Sequence, residues 1–423
     1  MKLGRYRWTR PWIGDALFTR SNTEEIAMIR NHPIRVLIDY RSPTLRTARR
    51  YRGFSLVALA FALFLPGVMD VAWSAQFSAC QKTAQNMLTA CRFDAHEEFN
   101  KIQANCLNIA DDAQSKACLR QARETLKEEK DQCVEKREAR LDACELLGED
   151  RYDPDPLLDT GNQFVDPDEI PEVYPVNPYV SLAAGHTYVL REDEDTIVVH
   201  VTHEKREIQG VECRVVVDAA FSVETDEEDG DLDYIPVEVT DDWLAQDDRG
   251  NVYYCGEQVR NYEDGLLDNV DGSFEAGKSF AKAGVLIRAL PEVGEAHRQE
   301  FALDEAEDIV VYQALATQPG PDEGGDHPVF PCLPEGCLKT LEINPADPEA
   351  SEYKYYLPGT GFVLAVAMED GELTGDREEL VCVGGSLDVL KDPGCGIEDP
   401  DELLEELCEV SPDAFCDDDG DQG

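Results

Sequence analysis

Positive charge is what this chain has least of: 38 Lys/Arg stand against 88 Asp/Glu in 423 residues, a formal −50. The shortage deepens past the N-terminal part, because residues 1–75 hold 12 of the Lys/Arg and 5 of the Asp/Glu, which leaves the remainder at −57. Such a surface repels nucleic acid and anionic membrane and favours cations, basic partners or plain hydration in a salty medium. Long apolar runs are also missing. The main one, Phe54 to Val68, is about fifteen residues with Pro66 and Gly67 near its end, short of the roughly 20 a membrane span needs. Glycine and proline are absent from Gln76 to Leu147, so nothing there breaks a helix. Strand-turn-helix context is lacking around Gly384-Gly385-Ser386 and Gly272-Ser273, so no nucleophilic serine is indicated.

What is present is cysteine. Fourteen of them indicate an oxidising compartment, since a reducing cytosol would keep them as thiols. The N-terminal part agrees: Arg46, Arg49, Arg50 and Arg52 precede the apolar run, and Ala72-Trp73-Ser74 offers a small-x-small cleavage pattern. A cleaved signal peptide within residues 1–75 is expected, with a secreted, periplasmic or cell-surface destination and no membrane span after cleavage.

Six cysteines are ordered. Cys80 and Cys144, Cys91 and Cys133, and Cys106 and Cys118 lie as mirror pairs about Asp112. Asp111, with Gln114 three residues on, reads as a helix N-cap at the mirror centre, and Gly148 as a helix stop. Steps of 11 and 15 residues are near three and four helical turns, so each arm keeps its cysteines on one face. Residues 76–148 are therefore expected to fold as a helical hairpin with three rungs, the outermost about 40 Å from the innermost. Its sparse apolar residues cannot enclose a core, and rungs contributing on the order of 2 to 4 kcal/mol each offset that deficit. A single long helix bridged between chains would leave the mirror unexplained.

Residues 149–178 carry six prolines and read as an extended boundary segment pinned by Tyr152, Phe164, Tyr174 and Tyr179. From 179 to 385 the period becomes 2. Strands are expected at Tyr188–Arg191, Thr196–Thr202, Val211–Val217, Ile235–Val239, Leu244–Asp247 and Asn251–Cys255, the last two flanking a turn at Asp248-Arg249-Gly250. Others are expected at Val285–Ala289, His297–Leu303, Asp308–Ala314, Leu338–Ile343, Glu352–Leu357, Phe362–Met368 and Glu379–Val383. Residues 386–423 form an acidic, cysteine-containing tail with a short helix from Asp399 to Val410. The fold class is α+β: a disulfide-laddered α-helical hairpin followed by a large antiparallel β domain, as a curved sheet, sandwich or half-barrel.

Asn177-Pro178-Tyr179 through Tyr188-Val189, and the hairpin Asp242-Trp243-Leu244-Ala245-Gln246-Asp247 with Gly250-Asn251-Val252-Tyr253-Tyr254, form a pattern. Phe274-Glu275-Ala276-Gly277, Arg298-Gln299-Glu300 and Glu305-Ala306-Glu307-Asp308 extend it over about half the chain. In this the sequence resembles a family of uncharacterised secreted bacterial proteins, a resemblance that implies no activity. Cys255 stands where that family carries an aromatic, which implies a bridge particular to this chain. Trp243, Gln246, Tyr253 and Tyr254 are the binding candidates.

Metal chemistry has two candidates. Glu305, Glu307 and Asp308 adjoin strands and recur in the resemblance, and Asp229, Asp231 and Asp233 gather hard oxygen ligands for calcium around Gly230, though off the calcium-loop template. His200 and His203 face opposite sides of a strand and, with His186, His297 and His327, read as surface histidines. Cys332 and Cys337 are expected to be bridged elsewhere, Cys337 to Cys213, and Cys408 to Cys416. The leading expectation is an exported, noncatalytic protein without a cofactor, its β domain recognising an unknown protein or envelope component and its hairpin acting as a rigid spacer. The alternatives are a calcium-dependent extracytoplasmic hydrolase and a carrier of an apolar ligand.

Overall fold

Two helices come first, α1 (Ala79–Leu107) and α2 (Asp112–Leu147). The computed structural model describes residues 78–193, 195–225, 232–323, 330–334 and 336–416, so the signal-peptide expectation and Asp229 and Asp231 lie outside the described residues. Ser78 caps α1: its hydroxyl accepts from the Gln81 N–H, and the Gln81 side chain accepts from the Ser78 N–H. Asp111 caps α2, accepting from the N–H groups of Ala113 and Gln114, and Gly148 ends it with φ 62°. Cys80–Cys144, Cys91–Cys133 and Cys106–Cys118 join the antiparallel pair, with Cα–Cα distances of 6.0, 5.8 and 5.5 Å. All three rungs are intrachain, as the mirror requires. Ala84, Leu88, Ala95, Ala122 and Ala143 are the buried apolar side chains beside the half-cystines.

The strands follow as β1 (Thr187–Glu192), β2 (Asp195–Ile208), β3 (Val211–Thr225), β4 (Leu232–Gln246), β5 (Val252–Glu263), β6 (Leu266–Asn269), β7 (Phe274–Glu275) and β8 (Lys282–Ile287). After these come β9 (Ala296–Arg298), β10 (Glu300–Phe301), β11 (Ile309–Thr317), β12 (Cys337–Asn344), β13 (Asp347–Leu357), β14 (Gly361–Glu369) and β15 (Glu372–Gly384). They make one antiparallel sheet, ordered β10-β8-β5-β4-β3-β2-β1-β15-β14-β13-β12-β11-β9, with β6 and β7 each paired to β5 off this path. The stretches Ile235–Val239 and Leu244–Asp247, expected as two strands, are parts of the single strand β4, whose register with β5 shifts at Trp243/Leu244. That bulge bends the sheet.

The bend nearly closes it. β9 and β10 lie at opposite ends of the strand order, yet only Gln299 separates them in sequence. One extended segment thus pairs with β11 on one side and β8 on the other, forming a seam. Gly284 in β8 is required there, because a Cβ would stand 2.2 Å from the Gln299 carbonyl oxygen. Alternate residues face two sides: Tyr188, Leu190, Ile197 and Val199 join Tyr254, Tyr312, Tyr355 and Leu364 in the core enclosed by the sheet, while Val189, Val198 and Val217 face outward. The outward cluster is covered by Leu403 and Leu407 of α3 (Pro400–Val410) and Phe415 of α4 (Pro412–Phe415). Inside, the space between Leu182, Tyr188, Val216 and Leu244 amounts to about 10 Å³. That admits at most one water, so it offers no room to an apolar cargo.

All fourteen cysteines are paired. Cys408–Cys416 is as expected, and Cys382–Cys395 ties the tail to β15. Two expectations are corrected. Cys332 and Cys337 bridge each other, and Cys213 bridges Cys255 rather than Cys337. Cys213 on β3 and Cys255 on β5 have β4 between them, which in a flat sheet means about 9.5 Å. The curl at the β4–β5 bulge brings their Cα atoms to 6.9 Å.

Candidate functional site

The four aromatic and amide candidates of the β4–β5 hairpin are buried, which corrects their assignment as a recognition surface. Trp243 lies under the Arg206 guanidinium, 3.8 Å from the ring centre. The Gln246 side-chain amide donates to the Pro175 carbonyl at 3.0 Å, and the Tyr253 hydroxyl to Asp247 at 3.1 Å. The Tyr254 hydroxyl sits between the carboxylates of Asp242 and Glu257, and burial followed by Asp242 pushes its pKa well up. These side chains build the bend. The tight turn beneath them is held by the Asp247 carboxylate, which accepts from the N–H groups of Arg249 and Asn251.

The carboxylates proposed for calcium are dispersed. Glu307 is consumed by Arg140; a Glu305 oxygen accepts from the Gly272 N–H at 3.3 Å; the Asp308 carbonyl accepts from Gln299. Asp233 is exposed on β4. Among the described residues no group of three or more His, Cys, Asp or Glu side chains is arranged to hold a metal ion. Two histidines expected at the surface are withdrawn from it, His200 buried and His297 half-buried. His200 contacts the Thr187 hydroxyl at 2.9 Å and is held at a pKa of about 4, by burial first and His203 second. His297 contacts the Tyr312 hydroxyl at 3.0 Å, and burial followed by Arg288 holds it at about 3.

The site that geometry does assemble lies where the hairpin base meets the seam. Arg140 occupies the inward stripe of α2, seven residues after Cys133 and four before Cys144. Its Nε donates to both Glu307 oxygens at 3.1 and 2.9 Å, and its Nη2 to Oε1 at 2.5 Å. The two side chains are only 5% and 2% exposed. Burial lowers the Arg140 pKa and Glu307 with Asp304 more than restores it, so the guanidinium stays charged. Beside it Arg298, the last residue of β9, is held by Glu149 at 2.8 Å. Connecting residues 150–153 complete the wall: the Tyr152 hydroxyl donates to the Ala283 carbonyl at 2.8 Å and its ring packs 5.2 Å from that of Phe301.

Between these parts is a cavity of about 240 Å³. Its apolar lining comes from Ala79, Ala84 and Ala143 of the hairpin and from Tyr152, Phe301 and Leu303. Four cations reach it, Arg140, Arg151, Lys282 and Arg298. Arg140 is locked on the buried Glu307, and Arg298 on the half-buried Glu149. Lys282 and Arg151 sit at the rim, on the exposed carboxylates of Asp153 at 2.8 Å and Asp150 at 3.4 Å. Asp153 is held below its usual pKa by Lys282, and Asp150 by the Ala79 N–H first. The outermost rung fixes the hairpin side, since Cys80 also lines the cavity. Of these residues Glu307 was a sequence candidate, but as a calcium ligand rather than as the partner of Arg140. The available signal was Arg140 itself, a cation on the cysteine stripe, which requires an internal acidic partner.

No protein-family model matches the chain, and no curated protein matches it. Among solved structures it is similar to one from Bacteroides fragilis, described as that of an exported protein with a YmcC-like fold. The identity is 12% and the TM-score 0.23, over 49% of this chain and 98% of that one, a likeness too weak to carry an argument.

Proposed function

We propose that this is an exported, noncatalytic binding protein whose ligand is taken at the junction of hairpin and β domain. The carrying observation is the 240 Å³ cavity, assembled from the hairpin base, residues 149–153 and the seam, and framed by the buried Arg140–Glu307 pair and the half-buried Arg298–Glu149 pair. Its volume lies below the roughly 300–1,000 Å³ of drug-sized sites, so a small ligand or one side chain of a partner fits it. The hairpin, expected as a spacer, is in this reading also half of the site. Seven disulfides with no free cysteine support an extracytoplasmic location. Among the described residues no helix is long and apolar enough to cross a membrane.

The test uses Leu303→Trp, which places a large ring at the mouth of the cavity from a partly exposed position. Small molecules that raise the melting temperature of the wild type in a saturable manner should fail to do so for L303W. Ligands that stabilise both proteins equally would overturn the junction as the site. Calcium at the acidic stretch of the sequence that includes Asp233 is tested separately: if these carboxylates bind it, a chelator lowers the melting temperature and added calcium restores it.

A further inference from the structure

Resting on the junction reading, we infer that the cavity takes a small monoanion with an apolar body, such as a short carboxylate, with its charged head at Lys282 and Arg151. The argument turns on which charges are free to change partner. Glu307 accepts from Arg140 and from the Asp304 N–H at 2.8 Å, and Glu149 accepts from Arg298, so both carboxylates are already engaged. A cation seated within the cavity at either carboxylate would have to break its pair, leaving a guanidinium buried without its partner. The rim is the reverse case. Arg151 and Asp150 are 66% and 59% exposed, and Asp153, the partner of Lys282, is 65% exposed. Such carboxylates return to water at little cost, so Arg151, and Lys282 while it keeps its bond to the Tyr152 carbonyl, can turn to a ligand anion.

Below the rim the lining is apolar. Tyr152 and Phe301 form the aromatic wall, and Arg298, held by Glu149, stacks its guanidinium 5.1 Å from the Phe301 centre. A charged head at the mouth and a hydrocarbon body inside match that division. In a chain at −57 beyond residue 75, a cavity lined by four cations against the carboxylates of Glu149, Asp153 and Glu307 is locally less hostile to an anion than the net charge implies.

The experiment titrates the full folded chain with hexanoate, hexanamide and hexylamine, three probes of one body and different charge, by calorimetry at low ionic strength. Hexanoate should bind about tenfold or more tightly than hexanamide, as charge-assisted hydrogen bonds imply, and hexylamine least. Arg151→Gln, on an exposed side chain, and Lys282→Gln should each shrink the hexanoate preference while leaving hexanamide unchanged. Equal binding of acid and amide, or tightest binding by the amine, would overturn the anion assignment and keep the junction as a site. Binding by none of the three would overturn the junction reading together with it.

Discussion

Two disulfides in this molecule close loops of the same length in different surroundings. Cys91–Cys133 in the hairpin and Cys213–Cys255 in the β domain each span 42 residues, so taken singly they close loops of equal entropy. What surrounds them is not. Cys213 and Cys255 lie in a buried cluster with Trp243, Ala245 and Ile208, on strands already paired through β4. Around Cys91, Phe93 is exposed, and the arms have few buried apolar neighbours. The β domain would keep its topology by hydrogen bonding and burial without its bridge, whereas the hairpin depends on its rungs to stay a pair of helices. Equal loops thus have unequal structural consequences, because covalent constraint matters most where burial is least.

The sharpest way to break that comparison is to remove each bridge. C91S/C133S and C213S/C255S should each lower global stability by about 4 kcal/mol from loop entropy alone. Hydrogen exchange should separate them: the hairpin variant loses protection locally, in residues 85–133, while the β variant weakens cooperatively and keeps its pattern. Similar local opening in both would contradict the contrast.

Next in size is the joint between the regions. Arg140→Ala leaves Glu307 buried without its partner and should cost on the order of 3 kcal/mol, read from denaturant midpoints. Replacing both residues by apolar side chains, R140M with E307L, should recover most of that loss. If the double variant is as damaged as the single, the pair positions more than its own charges.

A third handle is pH, which should act on the β domain. His297 and His200 are held near 3 and 4, against 6.5 for an unburied imidazole, so between pH 6.5 and about 3 the unfolded chain binds more protons than the native one. Their contribution is fully present above pH 6.5 and is lost as pH falls through that window. Glu352, raised to about 7 by burial and further by Glu342 against the opposing pull of Lys354, acts in the other direction, lowering stability as pH rises from 4.5 to 7. Melting curves of His297→Gln should show a flatter acid limb, and those of Glu352→Gln a higher midpoint at neutral pH. The smallest effect belongs to the hairpin turn. Asp111→Ala removes two hydrogen bonds at the N-terminus of α2 and should cost about 1 kcal/mol, visible as fraying of the first turn.

Much of the scaffold was legible before any coordinates. The mirror about Asp112 gave the rungs and their pairing, Asp111 and Gly148 gave the ends of α2, and period-2 patterning gave most strands with the turn before Asn251. The candidate site was not legible. Trp243, Gln246, Tyr253 and Tyr254 looked like recognition residues because aromatic and amide side chains serve at surfaces and in bends alike, and only their burial decides which. Glu307 looked like a ligand because its partner, Arg140, stands 167 residues earlier.

By itself the sequence determined the oxidised, acidic character of the chain, the laddered hairpin and the antiparallel class of the β domain. These follow from rules that act along the chain: helical repeat, capping, alternation and charge. Only the tertiary structure decided that Cys213 pairs with Cys255, that β9 and β10 join the two ends of the sheet through Gln299, and that the hairpin base helps to enclose a cavity. Those contacts depend on how far a fifteen-stranded sheet curls and where a helix pair settles against its seam. Curvature accumulates from small twists and bulges spread over many strands, and no local pattern of residues records the sum.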